Sequence, residues 1–183
     1  MRRVNAVTAM LIVALLLIHV IAGGFQLAGI IGGGSTVMKV LAWVMLALIG
    51  VHMLIGVKLT ADTLIACKRS GTSYYRENRL FWLRRISGFA VMFFIVLHVL
   101  IFLGREEGGV FRLNYFGTVQ LLSQLLLVVS LILHIVTNIR PLMLALGSRK
   151  YRDFLLDVCV ILSVVLILTA AAFIVYYIRW RVV

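Results

Sequence analysis

Five stretches without a charged residue divide this chain: 4–38, 40–57, 86–104, 113–139 and 158–178. Each is apolar along its whole length rather than at alternate positions, the pattern of a membrane helix and not of a membrane strand. A spanning helix needs about 20 apolar residues. The shortest run is flanked by Lys39 and Lys58, whose aliphatic stems can snorkel. The pattern predicts an all-α integral membrane protein, a five-transmembrane-helix bundle. Its helices are expected over about 4–31, 36–61, 81–104, 115–146 and 153–177, in a single domain covering 1–183. Met1-Arg2-Arg3 before an apolar run resembles the start of a signal peptide. The run is too long for one and lacks a small-x-small cleavage pattern, so a retained first helix is expected.

Composition agrees. Of 183 residues 63% are hydrophobic and one is proline, too apolar for a soluble domain with a polar shell. A net charge of +12 would suit nucleic acid, but its distribution does not. Only Lys39, Arg105, Arg112, Arg179 and Arg181 fall on one side of the expected bundle, and the other thirteen of the 18 basic residues fall on the opposite side. The positive-inside rule makes that side, with the N-terminus, cytoplasmic. Anionic lipid is the simplest partner for these cations, and a docked cytoplasmic subunit is the more specific one. The loop 62–78, with Tyr74 and Tyr75, is a candidate docking surface. Tyr176, Tyr177 and Trp180 form an outer interfacial belt. Cys67 and Cys159 are expected to be unpaired, and the absence of CxxCH excludes covalently attached haem.

The chemistry lies in four histidines, one in each of the first four helices: His19, His52, His98 and His134. An ionisable group inside an apolar segment is a functional candidate by default. Their depths follow from a helical rise of about 1.5 Å per residue. His52 lies six residues before Lys58 and His134 six before Arg140, so both sit roughly 9 Å from their inner cations. His98 lies thirteen residues beyond Arg85 and His19 sixteen beyond Arg3, roughly 20 and 24 Å from the inner side. The histidines therefore form an inner layer, His52 and His134, and an outer layer, His19 and His98. Two imidazoles facing each other can hold a haem iron from both sides and leave no position open for oxygen. Zinc would want its ligands together in one place, and a proton pump would want buried carboxylates, which these helices lack at their centres. Gly23, Gly24, Gly56, Gly88 and Ala90 would make room for porphyrin near the ligands.

Trp82-Leu83-Arg84-Arg85-Ile86-Ser87-Gly88, with His98 ten residues after the glycine, resembles the W-x-Q-R-x-[ST]-G…H stretch of the cytochrome b subunit of succinate dehydrogenase and fumarate reductase. His134-Ile135-Val136-Thr137-Asn138-Ile139-Arg140 is similar to that family's H-x-x-N-G-[IL]-R region. Helix number, histidine placement and length match its single-subunit, dihaem branch. The resemblance implies two haem b groups, held by His52 with His134 and by His19 with His98. It makes Trp82, Arg85 and Arg140 candidates for propionate contacts. It further implies quinone chemistry with menaquinone, and an iron–sulfur and a flavoprotein subunit docked at the cytoplasmic face of a bacterial inner membrane. The chain departs from the family where Arg84 replaces glutamine, where Asn138 follows His134 by four residues with no glycine after it, and where Ile132 stands at the position of a glutamate used for proton transfer in some members. Glu106, Glu107 and Gln26 are weak candidates for a quinone site. Two rivals remain: another dihaem carrier of the cytochrome b561 kind, or an anchor for a different flavoprotein reductase. A haem-free anchor or transporter is the alternative from another class.

Overall fold

The computed structural model describes residues 1–71, 79–107, 110–112, 114–147 and 152–182. Five helices carry the fold: α1 (Arg2–Leu27), α2 (Thr36–Arg69), α3 (Arg79–Phe102), α4 (Thr118–Leu146) and α5 (Arg152–Val182). All five are long and apolar enough to cross a bilayer. The chain is an all-α, multi-pass membrane protein with one small addition, a hairpin of β1 (Arg105–Glu107) and β2 (Val110–Arg112) between α3 and α4. That hairpin takes the place of the expected outer loop. The side chains of Glu106 and Glu107, like the whole of Tyr74 and Tyr75, lie outside the described residues.

Helix ends move where local chemistry outweighs hydropathy. α1 stops at Leu27 rather than near Ile31, because Gly29 turns into the left-handed region at φ 74°. Arg179 of α5 donates to the Ala28 carbonyl at 2.9 Å, and a Cβ at Gly29 would collide with its guanidinium. α2 runs eight residues past the expected position 61, to Arg69. Leu64, Ala66, Lys68 and Arg69 are good helix formers, and the last two complement the helix dipole. α4 begins at Thr118 rather than Tyr115, where the Gln120 side chain accepts from the Gly117 N–H at 3.1 Å.

Large apolar side chains point outward on every helix, among them Leu11, Leu54, Phe93, Val119 and Leu168. In water such a surface would aggregate; against lipid it is satisfied. Helices in lipid gain nothing from hiding leucine, so close packing and polar bonds must join them. α1 packs on α2, α3 packs on α4, and α5 packs on both α1 and α4. The tightest core follows α5: Leu162, Leu166 and Phe173 meet Leu16 and Val20 of α1, Val128 of α4 and Phe116. α5 carries no histidine and serves as a spacer. It ties α1 to α4 and leaves the histidine-bearing faces around a cavity.

Candidate functional site

The four histidines come together in the two pairs that depth arithmetic expects. His19 faces His98 with ring centroids 6.0 Å apart, and His52 faces His134 at 6.5 Å. The ring planes cross at 73° and 89°. A metal ion gripped by an imidazole from each side needs centroids about 6.4–6.6 Å apart, given metal–nitrogen bonds of about 2.0–2.1 Å and about 1.2 Å from nitrogen to ring centre. The inner pair, at 6.5 Å, meets that spacing, and the outer pair, at 6.0 Å, stands slightly closer. Each layer supplies two imidazoles, and among the described residues no three His, Cys, Asp or Glu groups gather, so a tetrahedral zinc set is not formed.

One continuous cavity of about 1620 Å³ is lined by all four histidines. Pockets for a single small ligand run to about 300–1,000 Å³, so this space suits more than one large planar group. Gly23, Gly24 and Gly56 line it, and a Cβ on any of them would meet nothing within 4 Å. Gly88 serves a different end from the one its position before His98 suggests. It lies against the inner pair, where a Cβ would stand 3.2 Å from His134 Cε1.

Two hydrogen-bonded relays hold one imidazole in each pair. In the inner layer Ser87 of α3 donates to the Arg84 carbonyl at 3.1 Å, and its oxygen lies 3.2 Å from His134 Nδ1, which the Asn138 amide nitrogen also approaches at 3.4 Å. In the outer layer Ser123 of α4 donates to the Gln120 carbonyl at 2.7 Å, and its oxygen accepts the Gln124 amide at 3.1 Å. Gln124 Oε1 then faces His98 Nδ1 at 2.7 Å. In the outer layer this polarity puts the proton of His98 on Nδ1 and leaves its Nε2 as the nitrogen with a lone pair. α3 thus orients the histidine of α4, and α4 orients the histidine of α3. His52 differs: its buried Nδ1 has no hydrogen-bond partner among the described residues.

The storeys are evenly spaced on both helices. Ser87 to His98 is eleven residues of α3 and Gln124 to His134 is ten of α4, roughly 15–17 Å at the helical rise. The inner end of the cavity is lined by Arg2, Asn5, Arg84, Arg85, Asn138 and Arg140. Arg85, which also lies 5.0 Å from the Phe81 ring centre, and Arg140 both line that end. Trp82 is not on the cavity wall; its ring packs edge-on against Phe81 at 5.5 Å. Gln26 lines the outer end, with its amide 3.4 Å from the Gly32 carbonyl. Both cysteines are free.

Sequence reasoning passes over Ser87 as a ligand partner and over Gln124 altogether. The depth arithmetic could have found Gln124: it lies sixteen residues before Arg140, roughly 24 Å from the inner side and level with the outer pair. Arg84, notable in the sequence only as a departure from a motif, donates from Nε to the Thr137 carbonyl at 2.8 Å. Comparison of the chain with protein-family models, with curated proteins and with solved structures returns no match.

Proposed function

We propose that this chain is a dihaem cytochrome b, the membrane subunit of a succinate:quinone or quinol:fumarate oxidoreductase. It would pass electrons between menaquinone in a bacterial inner membrane and an iron–sulfur and flavoprotein pair on the cytoplasmic side. One observation carries the proposal: two facing histidine pairs, with ring centroids 6.0 and 6.5 Å apart, on a shared cavity between transmembrane helices. Haem b at each pair would supply one-electron transfer with no coordination position left open.

The chain's own residues do the holding. His52 and His134 would grip the inner group, and His19 and His98 the outer. Ser87 and Gln124 hold one imidazole of each couple in place. Arg85 and Arg140 at the inner mouth offset carboxylate charge there. α2 supports the docking of a soluble partner. Its 34 residues span roughly 51 Å, against a hydrocarbon core of about 30 Å. The last three turns, after Lys58 and bearing Lys68 and Arg69, would therefore extend past the hydrocarbon core. Dicarboxylate chemistry belongs to that partner.

The test is purification from membranes in mild detergent. Pyridine haemochrome analysis should count two b haems per chain, with flavin and iron–sulfur subunits in the same complex. One haem or none would sink the proposal. Two haems without a dehydrogenase would point instead to a carrier of the cytochrome b561 kind.

A further inference from the structure

We propose that Gln124 is the positioning residue of the outer pair, fixing His98 as a neutral, Nδ1-protonated ligand and making it the more basic of the two. The inference rests on the dihaem function above and adds a residue to it. Gln124 is 0% exposed, seven residues into a membrane helix, where a polar amide is retained only if its bonds are made. Both ends of the amide are engaged. Its nitrogen donates to Ser123 Oγ at 3.1 Å, and its oxygen meets His98 Nδ1 at 2.7 Å. The amide cannot turn over without loss. Ser123 spends its only proton on the Gln120 carbonyl at 2.7 Å, so it can accept from the amide nitrogen but not donate to the amide oxygen. Gln124 therefore presents oxygen to His98, and His98 must carry its proton on Nδ1.

An acceptor on the far nitrogen orients a metal-bound imidazole and raises its basicity. A more basic ligand favours the oxidised, more positive iron, so Gln124 lowers the reduction potential of the outer site. Among the described residues His19, across the cavity, belongs to no such relay. It comes from α1, whereas His98 and Gln124 sit on the mutually packed α3 and α4. The α3–α4 half is thus pre-set at the outer storey, and α1 brings the second imidazole to it.

Gln124→Leu fills nearly the same volume and removes the acceptor. Loss of an outer-shell partner of this kind weakens metal binding by about 10–100-fold. The variant should release the outer haem to an apo-globin trap faster than the inner one. The outer haem that remains should titrate at a more positive potential, and the inner haem should not move. Gln124→Glu keeps an oxygen acceptor in either protonation state and should restore retention. If the unaltered chain carries no haem, the dihaem function fails, and this inference with it. If the unaltered chain carries both haems and Gln124→Leu leaves retention and both potentials unchanged, Gln124 only packs and the assignment is overturned. A loss in Gln124→Leu that Gln124→Glu does not restore overturns it as well.

Discussion

Arg84 and Thr137 are joined across α3 and α4 by a 2.8 Å bond from the guanidinium Nε to the Thr137 carbonyl. That carbonyl is open for a definite reason. In an α-helix it would accept from the N–H four residues on, and that residue is Pro141, which has none. α4 continues through the proline to Leu146. In lipid no water can satisfy the freed group, so a side chain from the neighbouring helix does. The arginine that departs from the family motif is thereby explained by the one proline in the chain.

The two residues should be energetically coupled. Arg84→Leu leaves a half-buried carbonyl without a donor and should destabilise the fold by about 1–3 kcal/mol. Pro141→Ala restores the backbone N–H. In that background Arg84→Leu should cost less, by on the order of 1 kcal/mol. Thermal or denaturant unfolding in detergent micelles measures all four chains of the cycle. Equal costs in the two backgrounds would show that Arg84 does not serve this carbonyl.

Gly88→Ala tests which storey the glycine belongs to. The new methyl would sit 3.2 Å from His134 Cε1, closer than ordinary contact. Alanine also suits a helix interior better than glycine by about 0.5–1 kcal/mol. The fold should hold while the inner site is disturbed. Low-temperature redox-difference spectra should shift for the inner haem and not for the outer. A shift confined to the outer haem would place Gly88 with His98, its neighbour in sequence, and contradict the packing.

The pairing of the histidines was legible because depth along a helix is arithmetic: residues count down from a charged end, and facing partners must match in height. Helix number was legible for a similar reason, since uncharged length is set by bilayer thickness. Helix ends were less so. Gly29 and Gln120 act through a positive φ and a side-chain bond, neither of which hydropathy registers. Ser87 and Gln124 were hidden by something else. A polar residue inside an apolar run gives its height but not its azimuth, and only the packing of α3 on α4 turns them toward the imidazoles.

Filling the cavity should separate cofactor binding from folding. Gly56 lines the space a turn after His52, and nothing lies within 4 Å of where its Cβ would be. If the space is a mere packing defect, Gly56→Leu should stabilise the helix and change nothing else. If it is occupied, leucine competes with the occupant. Gly56→Leu should purify as a folded chain with its inner haem lost or reduced and its outer haem intact. Haem counting alongside a melting curve checks both halves of that expectation.

The sharpest consequence concerns which histidine of a pair matters more. His98 and His134 are held by relays from the opposite helix. His52 Nδ1 has no hydrogen-bond partner among the described residues, and no side-chain relay there holds its ring. An anchored imidazole has already lost its rotational freedom and can hold a group on its own better than an unanchored one. His98→Ala should therefore empty the outer site and His134→Ala the inner site, each leaving the other haem in place. His52→Ala should retain part of its haem, now with one open position that binds carbon monoxide and shifts the visible spectrum. His19→Ala should behave in the same way at the outer site. Carbon monoxide difference spectra on the four variants separate the cases. Equal loss in all four would mean the relays do not pre-set the site, and loss of both haems from any single variant would mean the storeys are not independent.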